Sequence, residues 1–135
     1  MIGQMLENKQ IECIMNKILV LGISPGFAGS PQKSMSIQRV KRWMAECGYE
    51  QTDYDWRNLV DEAGALPKMS EVTITQDEVS VYQKVICLGN KPEQWCKSKK
   101  LDYLKVPHPS GLNRMWNNPN QETITIGELN NYLNE

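Results

Sequence analysis

The sequence predicts an α/β protein, a three-layer α/β/α sandwich built on a central, mostly parallel sheet of four strands. Two short apolar runs, KILVL (Lys17 to Leu21) and KVICLG (Lys84 to Gly89), each end in or just before glycine. They lack the polar alternation of a strand with one wet face, which is the pattern of strands covered on both sides. Segments with helical spacing separate them, and strands alternating with helices argue for parallel pairing with helices on both faces. At 135 residues the chain has the length of one domain, residues 1–135, with residues 1–16 as an N-terminal arm or helix.

Taken in order, the first strand is Lys17 to Leu21, closed by Gly22. The loop GISPGFAGSPQKS follows, and helical spacing begins at Ile37, Val40, Met44 and Cys47, with Ser34 or Ser36 as cap and Gly48 as the stop. A second strand falls near Tyr54 to Val60, and the third is Lys84 to Gly89. NKPEQWCKSKK starts a helix with Pro92 in its first turn. LDYLKV (Leu101 to Val106) is the fourth strand and runs straight into Pro107 and His108. The last helix opens at Asn118-Pro119 and carries Ile126, Leu129, Tyr132 and Leu133. The stretch from Ala63 to Tyr82 is less periodic and is assigned a short helix or strand.

Composition narrows the function classes. With 40% hydrophobic and 23% charged residues the chain is not a disordered one, and its formal net charge of -1 supplies no global attraction to nucleic acid or membrane. Nucleic-acid binding therefore has to be local. Lys97, Lys99 and Lys100, or Lys33, Arg39, Lys41 and Arg42, are candidate patches, although such runs are more often a solvated face. Cys13, Cys47, Cys87 and Cys96 show no C-x-x-C spacing and no zinc-type pairing with His108, the chain's one histidine. They read as reduced, mostly buried thiols; no metal and no cofactor is expected. Glu7, Lys9 and Glu12 interrupt the apolar N-terminus, which argues against a signal peptide or membrane span and for the cytoplasm.

In open α/β sheets ligands bind outside the carboxyl ends of the strands. GISPG, RNLV and HPSGLNR all lie at such ends. With these three segments the sequence resembles the uracil-DNA glycosylase superfamily. Gly22-Ile23-Ser24-Pro25-Gly26 is similar to its first motif, Asn58-Leu59-Val60 to its asparagine-bearing second motif, and His108-Pro109-Ser110-Gly111-Leu112 to the loop that closes on a flipped-out base. The resemblance covers Lys17 to Pro119. It implies a monomeric, metal-free and cofactor-free enzyme that extracts a base from DNA and hydrolyses its N-glycosidic bond.

The residue types suit that chemistry. Bond cleavage leaves negative charge on the departing base, so preorganised donors belong where the anion forms. The resemblance makes His108, Asn58 and Ser24 the catalytic candidates. Gly22, Ile23, Pro25, Gly26 and Phe27 would line the base site, and Ser110, Gly111, Leu112, Asn113 and Arg114 would contact DNA. Leu112 would act as the wedge that fills the gap in the stack, and Arg114 as a phosphate contact. Many superfamily members carry Asp or Asn at the third position of the first motif, or Glu at the second, to handle water. Here Ser24 and Ile23 stand there. Ser24 is a poor base, and Asn58, Asp55 and Asp61 are the alternatives. After the motif-one proline, the strict uracil branch has a bulky tyrosine against the pyrimidine 5-position. Gly26 leaves that space open, which implies tolerance of 5-substituted or modified pyrimidines, including those of phage DNA. Repair, defence against phage and viral DNA modification are all compatible settings. A non-catalytic reader of flipped bases, or a nucleotide-handling enzyme with phosphate on the glycine-rich loop, would use the same residues. Trp43, Trp56, Trp95 and Trp116 read as packing residues.

Overall fold

In the computed structural model the described residues are 17–25, 35–110 and 113–135. Strands β1 (Ile18–Gly22), β2 (Tyr54–Asn58), β3 (Lys84–Leu88) and β4 (Leu104–Val106) form a sheet in the order β2-β1-β3-β4. Its described pairings are all parallel, with Gly22 opposite Asn58 and Leu88 opposite Val106. Helices α1 (Met35–Glu46), α2 (Gln76–Ser80), α3 (Asn90–Ser98) and α4 (Gln121–Leu133) complete the α/β/α sandwich.

The strands read as continuous apolar runs because each face has its own core. Alternate side chains point to opposite faces. Ile18, Val20, Ile86 and Leu88 meet Val40, Trp43 and Met44 of α1 and Leu129 and Leu133 of α4. Leu19, Leu21, Val85 and Cys87 meet Val79 of α2 and Trp95 and Cys96 of α3. Leu19, Val20 and Leu21 have no exposed surface; burying such a side chain is worth about 1.5–3 kcal/mol.

Strand order decides where a ligand can enter. After β1 the chain crosses to β2 on one side, then returns to β3 on the other. The helices that follow β1 and β3, α1 and α3, lie on opposite faces of the sheet. A crevice therefore opens between the carboxyl ends of β1 and β3.

Several boundaries differ from the sequence expectation. Ser36 lies inside α1 and is not its cap; Ser34 lies outside the described residues. Gly48 does end α1, at φ +92°. Its N–H donates to Ala45 O at 3.0 Å and Tyr49 N–H to Met44 O at 2.9 Å, the paired bonds of a Schellman turn. The fourth strand begins at Leu104 because Leu101 belongs to the end of α3. Lys100 is left-handed at φ 57°, and Leu101 N–H donates to Cys96 O at 3.0 Å. The last helix starts two residues late, with Asn120 and not Asn118 at its cap position, since Asn118 Oδ1 accepts from Asn120 N at 3.0 Å and holds a turn ahead of it. Between Ala63 and Tyr82 stand a 3-10 turn, Met69–Glu71, and α2, capped where Thr75 Oγ1 accepts from Glu78 N at 3.2 Å. The spacing Thr75-x-x-Glu78 carries that capping signal in the sequence.

Candidate functional site

The crevice is floored by glycine. A Cβ built on Gly22 would stand 2.6 Å from Asn58 Oδ1 and 3.4 Å from Trp56 Nε1, so glycine is what lets the asparagine lie across the end of β1. The Trp56 indole N–H can only donate, and it does so to Asn58 Oδ1 at 3.3 Å. The amide is thereby oriented with its carbonyl toward Trp56 and its two N–H donors on the other side. Beyond the strand, Leu59 N–H donates to Gly22 O at 3.0 Å and Val60 N–H to Ile23 O at 3.2 Å, so the first and second motif segments run on together past the sheet.

Ser24 is engaged elsewhere. Its hydroxyl donates to Ala65 O at 2.8 Å, and Gly64 N–H donates to Pro25 O at 2.7 Å. Ser24 thus fastens the segment after β2 onto the segment after β1, and its proton is directed at a backbone carbonyl. Among the carboxylates weighed against it, Asp55 is paired with Leu19 in mid-strand and accepts from the Tyr82 hydroxyl at 2.5 Å. That position removes Asp55 from the crevice; burial, with the Asp55 bond second, pushes the Tyr82 phenol up to about 12. Asp61 is exposed, just past the bonded Val60.

His108 stands across the crevice at the end of β4, half-buried. The Ser110 backbone N–H donates to its Nδ1 at 3.1 Å. A backbone amide has only a proton to offer, so Nδ1 must be bare and the neutral ring carries its proton on Nε2. Burial lowers the imidazole pKa, which keeps the ring neutral. Its ring lies on the backbone of Gly89, where a Cβ would come within 3.3 Å of His108 Cβ and 3.4 Å of Cδ2. Gly89 has φ +89°, and its N–H donates to Val106 O at 2.9 Å. An open groove of about 430 Å³ runs beside the ring, bordered by Asn90, Lys105, Met115, Gln121 and Glu128.

The main chain after His108 is held from several sides. Asn113 Nδ2 and Trp116 Nε1 both donate to His108 O at 2.9 Å. Asn113 Oδ1 also accepts from Met115 N at 3.1 Å, so this residue, assigned to DNA by resemblance, has its side chain engaged within the loop. Arg39 Nη1 donates to Pro109 O at 2.9 Å while its guanidinium lies 5.0 Å from the centre of the Trp116 ring. Arg114 is exposed.

The structure therefore brings Gly22, Ile23, Ser24, Pro25 and Asn58 together at one pair of strand ends, and His108, Ser110, Asn113 and Arg114 at the other. Gly26, Phe27, Gly111 and Leu112 lie outside the described residues. Four participants fall outside the residues that the sequence singles out as site candidates. Gly89 was visible as the glycine closing a buried strand. In the sequence Trp56 and Trp116 read as packing residues and Arg39 as part of a solvated basic run; in that run Arg42 pairs with Glu122. Of the tryptophans, Trp43 and Trp95 are buried, whereas Trp56 and Trp116 use their indole N–H groups at the site. Lys97, Lys99 and Lys100 are exposed.

Cys87 and Cys96 are buried with sulfurs 3.6 Å apart, and the bond to Cys96, together with burial, raises the Cys87 thiol far above its ordinary range. Cys47 is half-buried, and Cys13 lies outside the described residues.

A comparison with curated proteins finds no match. The family model for the uracil DNA glycosylase superfamily matches residues 10–130, a span that includes both faces of the crevice and all three motif segments. A parallel four-stranded sheet with helices on both faces, glycine-floored strand ends and a match over most of the length agree, and the chain belongs to the uracil-DNA glycosylase superfamily.

Proposed function

We propose that the protein is a monofunctional DNA glycosylase that flips a uracil-like or 5-substituted pyrimidine out of DNA and hydrolyses its N-glycosidic bond, leaving an abasic site. The superfamily supports DNA N-glycosylase activity in general. The observation that carries the reading is His108, neutral, with Nδ1 accepting from Ser110 and the Nε2 proton left to donate. As the bond between the sugar carbon and the base nitrogen breaks, its electron pair goes to the base. A donor fixed beforehand beside a base carbonyl oxygen lowers the cost of that charge without reorganising. Asn58 presents its amide N–H groups because Trp56 holds the carbonyl. Two donors suit the 4-keto edge of a uracil-type base; a 4-amino group would face them donor to donor.

Water then adds to the sugar carbon and loses a proton. Ser24 is poorly placed to take it, since its own hydroxyl proton is directed at Ala65 O. Asp61, an exposed carboxylate past the end of β2, is the acceptor this reading assigns. The same Ser24 contact favours the second reading, a non-catalytic reader of flipped bases. Leu112 as wedge and Gly26 as the open wall beside the 5-position complete the proposal.

The test is a panel of duplexes and single strands carrying uracil, thymine mismatches, 5-hydroxymethyl and glycosylated pyrimidines, together with hypermodified phage DNA, scored for alkali-labile breaks. Excision that falls by roughly a hundredfold in His108→Ala, and whose range of 5-substituents narrows in Gly26→Tyr, is the expected result. Tight binding with no break on any substrate would support the reader.

A further inference from the structure

We propose that Arg39 and Trp116 form a latch that positions the His108 loop and thereby holds the imidazole in a single tautomer. This deepens the glycosylase reading and rests on it for its functional meaning, but the latch itself can be observed without DNA.

The geometry is specific. Over three consecutive residues, 108 to 110, polar groups of the loop meet fixed partners. His108 O accepts from Trp116 Nε1 and Asn113 Nδ2, and Pro109 O accepts from Arg39 Nη1, each at 2.9 Å. Ser110 N–H closes onto His108 Nδ1 at 3.1 Å, and Ser110 O accepts from Asn113 N at 3.0 Å. Asn113 and Trp116 come from the loop's own continuation and can move with it. Arg39 is different, because it reaches in from α1, 70 residues earlier, and joins the loop to the packed body of the protein.

The arginine is itself immobilised. Its guanidinium lies over the Trp116 ring at 5.0 Å, and that ring stands 5.2 Å from the ring of Trp43, which has no exposed surface. Trp43 in turn donates from Nε1 to Glu122 of α4 at 2.9 Å. A planar guanidinium can stack and donate at the same time, which a lysine ammonium does less well. The consequence falls on Ser110. Its N–H meets Nδ1 only while the peptide after Pro109 keeps its present orientation, and the carbonyl that Arg39 grips belongs to that same peptide unit. Releasing Pro109 O lets the unit rotate, Ser110 N–H leaves Nδ1, and the proton becomes free to occupy either ring nitrogen.

His108 is the chain's one histidine, so its two imidazole nitrogens give an unambiguous nitrogen-15 spectrum in this chain without DNA. Above the imidazole titration, wild type should show one bare and one protonated nitrogen. Arg39→Ala and Trp116→Phe should pull both toward averaged positions. Trp116→Phe keeps a ring against Trp43 while removing the indole donor, and Arg39→Lys should restore part of the wild-type pattern. Lys97→Ala, an exposed basic residue of α3 on the other face of the sheet, should leave the imidazole unmoved. In turnover on the best DNA substrate, Arg39→Ala should lower kcat by on the order of tenfold to a hundredfold, with KM little changed. An imidazole spectrum in folded Arg39→Ala or Trp116→Phe identical to wild type overturns the latch, whatever the activity. A displaced spectrum in a protein that excises no base upholds the latch and removes the glycosylase reading instead.

Discussion

At the scale of single residues, the crevice depends on two glycines that serve opposite walls. Gly22 leaves room for the Asn58 side chain, and Gly89 leaves room for the His108 ring. The Gly22 contact permits a sharp test, because the atom that a new Cβ would strike is the end of a movable side chain. Gly22→Ala should swing Asn58 away and break its bond from Trp56 while the strand stays paired. The expected cost is about 1 kcal/mol of stability, with a loss of base excision on the order of tenfold or more, matching Asn58→Ala. Wild-type excision in Gly22→Ala, with thermal unfolding as the check on folding, would take Asn58 out of base recognition. His108 offers a second test. Its folded pKa is depressed by burial below an ordinary value of about 6.5, so between the two values the unfolded chain binds more protons. The contribution of His108 to stability is complete above about pH 6.5 and declines as pH falls through that window. Protonation would also place a hydrogen on Nδ1, facing the Ser110 N–H. Nuclear magnetic resonance titration should put the imidazole midpoint below 6.5, and His108→Asn should remove this part of the acid sensitivity measured by denaturant unfolding.

At the scale of elements, α1 and α3 end in the same turn with different residues in the left-handed position. Gly48 occupies it at φ +92° and Lys100 at φ 57°. Glycine meets no steric penalty there, whereas a residue with a Cβ costs about 1–2 kcal/mol. Replacing Gly48 by Ala should therefore destabilise by about 1 kcal/mol, and Lys100→Gly should stabilise by a similar or somewhat smaller amount after the added freedom of the unfolded glycine is offset. A Cβ on Gly48 meets nothing within 4 Å, so strain is the whole of the expected effect there. Chemical denaturation measures both, and base excision should be unchanged in each. The same turn at the end of α3 explains why the fourth strand starts at Leu104: Leu101 is already bonded back to the helix.

For the whole molecule, a net charge of -1 means that DNA must be held by a few placed cations and not by a general field. Several basic residues are otherwise occupied: Arg42 with Glu122, Arg57 with Glu78, Lys105 with Glu93, and Arg39 with Pro109 O. Arg114 is exposed at the start of the 3-10 turn that follows the His108 loop, and the proposed function takes it as a phosphate contact. Arg114→Ala should weaken DNA binding uniformly across sequences and reduce the slope of log affinity against log salt by about 1. An unchanged slope, read from binding titrations at several salt concentrations, would place the phosphate contact elsewhere.

What the sequence determined by itself is what local pattern can encode. KILVL and KVICLG are apolar throughout because both faces of those strands are covered, and that is visible without coordinates. Gly48 marks the end of α1, and the GISPG, RNLV and HPSGL segments announce strand-end chemistry and the superfamily they resemble. Only tertiary structure decided how the side chains at those ends are used. That Trp56 orients the Asn58 amide, that the Ser24 hydroxyl donates to Ala65 O, and that Asp55 faces Tyr82 are consequences of strand register and loop packing. The role of Arg39 depends on a carbonyl 70 residues away, and Trp43 on a carboxylate 79 residues away. Periodicity reports which face of an element is buried, because burial repeats with the helix or strand. A hydrogen bond between distant residues has no such repeat, and it exists only once the sheet has brought the two segments together.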